Sequence, residues 1–243
     1  MALIDGFAPA PPGAGPWTDA SAYDWWFEQR WGRYAFDRES RTVLRASEAR
    51  LGTRVVDVGC GTRRYANRVR GVGAWVLGVD REQAMLAYCH AHALVPLVAA
   101  DALALPLREH ALDVAIAITV LEFVSDPAAA MAEMARVVRP GGRILIGSLN
   151  PRSPWGIVHR HELAEPPWSA ARFLARAELR ALGQPYGRVE LRSSLYALGG
   201  VPFLGIVGPL LERLGRVAPA WGGFQVLLVH KDRIGGVPRP DRR

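Results

Sequence analysis

Runs that are apolar at every position alternate, through the middle of the chain, with stretches whose apolar residues recur every three or four positions. The first pattern fits strands buried on both faces, and the second fits helices that cover them. It predicts strands over 55–58, 74–79, 95–99, 114–118, 143–148, 188–196 and 224–230. Helices are predicted between them over 63–72, 82–93, 127–138 and 169–182. Ahead of the first strand, 20–50 reads as helical and carries Tyr23, Trp25, Trp26, Phe27, Trp31, Tyr34 and Phe36, several at helical spacing. Core packing explains any one of these rings. So many of them before the first strand also suit a cap over a pocket. The β-α-β rhythm predicts a parallel sheet covered by helices, with ligands bound beyond the carboxyl ends of its strands.

Composition narrows the class. A chain of 243 residues, half of them apolar, can bury the core of one α/β domain with modest additions. The stretch APAPPGAGP over 8–16 reads as part of a flexible leader over 1–19, and 233–243 as a flexible tail. The formal charge of +7 comes almost wholly from arginine and is scattered until Arg239, Arg242 and Arg243, which fits an ordinary solvated surface. Cys60 and Cys89 supply neither a disulfide framework nor metal-site spacing, so a reducing, cytoplasmic setting is expected. No basic region followed by an apolar stretch marks a signal peptide near the N-terminus. Segment 193–211 carries no charge and approaches membrane-spanning length, but Gly199, Gly200, Pro202, Gly205, Gly208 and Pro209 argue against a straight spanning helix.

The chemistry gathers at strand ends. The first strand runs into Asp57, Val58, Gly59, Cys60, Gly61 and Thr62, and a helix follows. Glycines there let the backbone turn and approach a ligand closely, and the helix start offers free amides. The second strand ends at Asp80, whose carboxylate suits a ribose diol. These features alone also describe a dinucleotide site. Four others separate the readings: an acid two residues before the first glycine, a missing third glycine, Asp101 after the third strand, and the turn 136–142 before the fifth. An acid at Asp57 suits a cationic amino group, which a nicotinamide dinucleotide lacks.

Together VVDVGCGT, LGVDREQAML, AADALALPL, ALDVAIAITVLEFVSD and MARVVRPGGRILIGSLN resemble the class I methyltransferases dependent on S-adenosylmethionine (SAM), in the group that includes the ubiquinone and menaquinone methyltransferases. The resemblance covers about 50–150 closely and the C-terminal strands loosely. It implies a Rossmann-like α/β fold: a mostly parallel seven-stranded sheet with helices on both faces, an N-terminal helical cap and an insertion before the last strand. On that plan 20–232 is a single domain, with the cap over 20–50, the cofactor-binding core over 51–150 and an acceptor-side region over 151–232. The resemblance implies that Asp57 contacts the amino group of the SAM methionine and that Gly59, Cys60 and Gly61 pass their backbone around it. It further implies that Asp80 binds the ribose, that Arg81 and Met85 flank the adenine, that Asp101 and Ala102 meet its edge, and that Thr119 and Val120 line the sulfonium side. Tyr23 and Tyr34 are candidates to close over the cofactor. Met85 as plain core and Cys60 as a small filler remain the simpler alternatives. Arg63 stands where the family commonly has glycine; it would either crowd the methionine end of SAM or pair with its carboxylate.

Methyl transfer from a sulfonium needs alignment and exclusion of water, and a base only if the acceptor must lose a proton. Glu122, His159 and His161 are the candidate catalytic residues, against local capping for the first and structural roles for the others. Two cysteines do not hold arsenic, and no added module suits nucleic acid. A small apolar or aromatic acceptor is therefore expected, with 193–211 flanking its pocket or meeting a membrane, and a homodimer contact as the plainer alternative. An RNA methyltransferase and a non-catalytic partner that keeps the fold are the rival readings; no metal is expected.

Overall fold

The computed structural model describes residues 20–90, 94–164, 168–197, 204–215 and 217–233. The expected leader over 1–19 and nearly all of the expected tail lie outside the described residues. Seven strands form one sheet: β1 (Arg54–Val58), β2 (Trp75–Asp80), β3 (Leu97–Ala99), β4 (Leu112–Ile118), β5 (Val138–Leu149), β6 (Gly187–Ser194) and β7 (Phe224–Lys231). Their spatial order is β3-β2-β1-β4-β5-β7-β6. All pairs from β3 to β5 are parallel, while β7 runs antiparallel to both β5 and β6. The order reverses between β1 and β4, where the connections leave in opposite directions and open a crevice.

The period-2 geometry of the strands feeds two cores. Val55, Val114, Ile116, Leu145, Val226 and Leu228 face one way, with Trp31, Ala35, Ala46 and Val69 packed on them. Val56, Val58, Ala115, Ala117, Ile146 and Leu227 face the other, under Met131, Met134 and Leu179. This two-sided burial explains why the strands read as unbroken apolar runs.

The helical cap is two helices, α1 (Ala20–Trp26) and α2 (Arg30–Ser47), where the pattern predicted one stretch. The chain folds back between them, and Gly32 lets the Trp26 carbonyl approach where any Cβ would collide with it. Helices α3 (Arg64–Arg70) and α4 (Gln83–His90) are shorter than expected, and 91–93 lie outside the described residues. Helix α5 (Pro127–Val137) starts where Asp126 accepts hydrogen bonds from the Ala128 and Ala129 amides at 2.9 and 3.0 Å, with proline at its first position.

A short helix α6 (Pro154–Val158) follows β5. The helix predicted over 169–182 is a shorter α7 (Arg176–Gly183). Residues 171–175 stay out of the helix because Leu174 enters the core and its carbonyl accepts from Gln225 Nε2 at 3.1 Å, and the Glu178 carboxylate then caps the Ala175 amide at 2.8 Å. A helix the pattern did not predict, α8 (Leu204–Gly215), begins in the uncharged segment and runs past its end, with Pro209 inside it. Among the described residues no helix is long and apolar enough to cross a membrane.

Candidate active site

The glycine loop sits at the crevice because β1 ends there. The Gly59 and Cys60 amides both donate to the Val79 carbonyl, at 2.7 and 3.0 Å, which bends the chain sharply at the end of β1. Gly59 has φ +67° and lies so close to Val120 that a Cβ would fall 2.9 Å from its Cγ1 and nearer still to its Cγ2. The Asp80 carboxylate clamps the loop from β2: Oδ2 accepts from the Gly61 amide at 2.7 Å and Oδ1 from the Glu82 amide at 2.9 Å. Burial raises the Asp80 pKa, and these amides pull it back.

The cleft that opens above the loop spans about 720 Å³, part of it open to solvent. Of the predicted residues it brings together Tyr23, Gly59, Gly61, Asp80, Arg81, Met85, Asp101, Ala102, Thr119 and Val120. Glu82, Ala100, Ile118, Phe123 and Val124 line it as well and were not singled out in the sequence. Phe123 and Val124 belong to the mostly apolar stretch after β4, broken only by Thr119 and Glu122, which carried the available signal. Thr119 is held at φ +53°, its amide donating to the Gly147 carbonyl at 2.8 Å and its hydroxyl to Ile118 at 2.7 Å. A non-glycine residue kept in that region at a cleft rim is a strained position of the kind found at ligand sites.

Helix α1 covers the cleft through Tyr23 and is strapped down beside it. Arg64 Nε lies 2.6 Å from Asp24 Oδ1 and Arg64 Nη2 lies 2.6 Å from Glu28 Oε1, while the Tyr88 hydroxyl donates to Asp24 at 3.1 Å. Tyr34 does not join Tyr23; it packs against α8, with its hydroxyl donating to Glu212 at 3.2 Å. Arg63 has φ +65°, which is the physical reason a glycine suits this position. Its guanidinium lies 5.9 Å over the Tyr88 ring, on the α4 side, and is not part of the cleft wall.

Asp57 and Cys60 sit behind the lining. Asp57 is buried, accepts a hydrogen bond from the Ala66 amide, and has an Oδ2 with no partner among the described residues. Burial pushes it up to about 8. The Cys60 thiol packs against Gly78 and is pushed up strongly by burial, which fits a filler and not a nucleophile. Behind the same loop, Glu39 accepts the Tyr65 hydroxyl at 2.6 Å and is pushed up to about 7 by burial. One acid within an aromatic helix gave no sequence signal for this.

The structure sets Glu122, His159 and His161 back from the cleft wall. The single 3-10 turn Leu121–Phe123 points Phe123 into the cleft and Glu122 toward β5, where Oε1 accepts the Leu149 amide at 3.3 Å. His159 is buried, with Nδ1 2.8 Å from the Trp155 carbonyl and its ring stacked on Trp155 at 4.8 Å. His161 is exposed beyond it.

Burial pushes Glu122 from 4.5 up to about 7, so the folded chain keeps a proton that the unfolded chain releases near pH 4.5. That stability is fully present below pH 4.5 and is lost as pH rises through about 7. Glu122→Gln is expected to shrink the fall in urea midpoint between about pH 5 and about pH 8. An unchanged fall would show that Glu122 ionises freely in the fold.

Residues 56–146 match the family described as Methyltransferase domain. The ubiquinone biosynthesis O-methyltransferase of Aeromonas salmonicida is 35% identical over 110 residues, 43% of this chain and 46% of that protein. The demethylmenaquinone methyltransferase of Mycobacterium tuberculosis is 38% identical over 109 residues, 45% of each chain. The chain thus matches about half the length of these curated relatives. A SAM-dependent methyltransferase from Thermotoga maritima superposes with a TM-score of 0.67 at 23% identity, covering 86% of this chain and 94% of that one. The (4+2)-cyclase SpnF superposes at 0.61 with 22% identity, covering 93% of this chain and 89% of that one. The match to the Methyltransferase domain family is thus confined to 56–146, while over most of its length the chain shares the fold of these solved structures.

Proposed function

We propose that the chain binds SAM in this cleft and transfers its methyl group to a small apolar or aromatic acceptor. The observation that carries the reading is the excess of carboxylates around the glycine loop. Asp80 and Asp101 line the cleft, and Asp57 lies behind the loop with an oxygen left unpartnered among the described residues. A buried carboxylate without a partner is costly, and a cationic ligand relieves it. SAM supplies a methyl group on a positively charged sulfur, with an ammonium group at one end and a ribose diol near the other. In this reading Asp57 faces the ammonium through the loop, Asp80 holds the diol, and Asp101 and Ala102 meet the adenine beside Arg81 and Met85. Tyr23 excludes water from above.

The acceptor side is apolar. Ile118, Val120, Phe123 and Val124 line it, and Trp168 and Phe173 continue the ring series from Phe123 at centroid spacings of 5.9 and 6.5 Å. Such a wall favours a flat apolar molecule, and quinone-pathway relatives point the same way. The job of these residues is to orient the acceptor in line and keep the space dry.

Calorimetric titration of SAM tests the reading. We expect a Kd of order micromolar near neutral pH. We also expect proton release, because a cation beside Asp57 lowers its pKa from about 8. No heat at millimolar SAM, or binding of NAD in its place, would overturn it. SAM binding with no methyl transfer to any quinol or phenol would leave a non-catalytic partner instead.

A further inference from the structure

Helix α8 is amphipathic in the wrong sense for a solvated surface helix. Its polar group points inward: Glu212 accepts the Tyr34 hydroxyl at 3.2 Å, the Tyr196 amide at 2.8 Å and the Leu195 amide at 3.2 Å. Gly208 and Gly215 press on the Tyr34 and Tyr196 rings, and Leu211 joins the core. Outward, at four-residue intervals, stand Ile206, Leu210 and Leu214, which are 77%, 56% and 57% exposed. The apolar exposure runs on past the helix through Val217 and Trp221.

Cations flank this ridge. Arg213 is exposed on α8 itself. Arg38 lies 5.1 Å over the Tyr34 ring that α8 packs against, and Arg30 is exposed about one turn before Tyr34 on α2. Arg30 and Arg213 make no ion pair among the described residues. The nearby acids are already engaged: Asp37 by Arg41 at 2.8 Å, and Glu212 by the inward contacts. An apolar ridge bordered by unneutralised arginines complements an anionic lipid interface, where the side chains enter between headgroups and the guanidinium groups meet phosphates.

We infer that this face rests on an anionic membrane surface, with Ile206, Leu210 and Leu214 as its apolar anchor and Arg30 and Arg213 as its headgroup contacts. The inference does not depend on SAM binding, and its test reads lipid binding alone. The full chain is floated with phosphatidylcholine vesicles, with and without phosphatidylglycerol. We expect it to rise with the phosphatidylglycerol vesicles and to stay behind with phosphatidylcholine alone. Ile206→Ser with Leu210→Ser and Leu214→Ser should cut binding at least tenfold, and Arg30→Glu with Arg213→Glu by about tenfold, with circular dichroism unchanged because all five side chains point outward. Absence of binding, equal binding to both vesicle types, or parent-like binding by the triple variant would overturn it. So would light scattering that shows a dimer which the triple variant abolishes, since a second copy would then cover the ridge.

Discussion

Replacing Asp80 by alanine is expected to weaken SAM binding about a hundredfold, with the fold retained. The carboxylate does two things at once. Its oxygens accept the Gly61 and Glu82 amides at 2.7 and 2.9 Å, which fixes the loop, and the same group lines the cleft where a ribose diol would sit. A hydrogen bond to a charged group contributes about 1.5–3 kcal/mol, and tenfold in affinity is about 1.4 kcal/mol, so the loss of the ligand contact and of loop order together reaches about two decades. Asp80→Asn keeps an acceptor and should lose only about tenfold. Calorimetry with SAM reads both, and thermal melting checks that the variants fold. Affinity of Asp80→Ala within about threefold of the parent would place the cofactor elsewhere.

Gly59→Ala should cost about 3 kcal/mol of folding stability. A left-handed backbone costs an L residue about 1–2 kcal/mol, and an added methyl in a packed site costs about 1–3 kcal/mol more. Both apply here, since φ is +67° and the new Cβ would meet both methyls of Val120. Gly61→Ala is the internal comparison: φ is +49°, but its nearest neighbour would be the Tyr23 ring at 3.7 Å, an ordinary contact. Only the backbone cost remains there, about 1 kcal/mol. Urea midpoints separate the two, and Gly59→Ala with Val120→Ala should recover about half the loss. Equal midpoints for the two single variants would mean that Val120 moves aside without cost.

The core strands were legible because both sheet faces are covered, so each strand wrote itself as an unbroken apolar run; Val55 and Val56 serve opposite cores from adjacent positions. The carboxylates at the ends of β1 and β2 were legible for the same reason, as isolated charges closing apolar segments. Where the sequence misled, tertiary contact decided. Glycines and prolines argued against a straight spanning helix over 193–211 and hid α8, yet Gly208 is there to let the Tyr34 ring approach, as Gly215 just past that stretch does for Tyr196. A helical pattern over 169–182 hid a non-helical lead-in whose Leu174 is pinned by Gln225, fifty-one positions along the chain. Strand β5 begins at Val138, ahead of the predicted 143, because Val138 pairs with Leu112 before an irregular step returns the register at Arg143. Glu122 and Phe123 are neighbours that a single 3-10 turn sends to opposite tasks, a choice no periodicity records. Glu122, His159 and His161 were legible only as polar residues that follow a strand, and position alone does not say which way a side chain turns.

The place of β7 sets the order in which the molecule can be made. It is the last strand in sequence, and it lies between β5 and β6, joined to neither by a short turn. While the ribosome still holds residues 224–231, β5 and β6 each present an open edge, and β6 has no partner in the sheet at all. The five parallel strands can assemble as they emerge, but the sheet closes only in one late step that fills both edges together. A nascent chain of this kind stays in its most association-prone state until β7 emerges, and its yield depends on what guards those two edges in that interval.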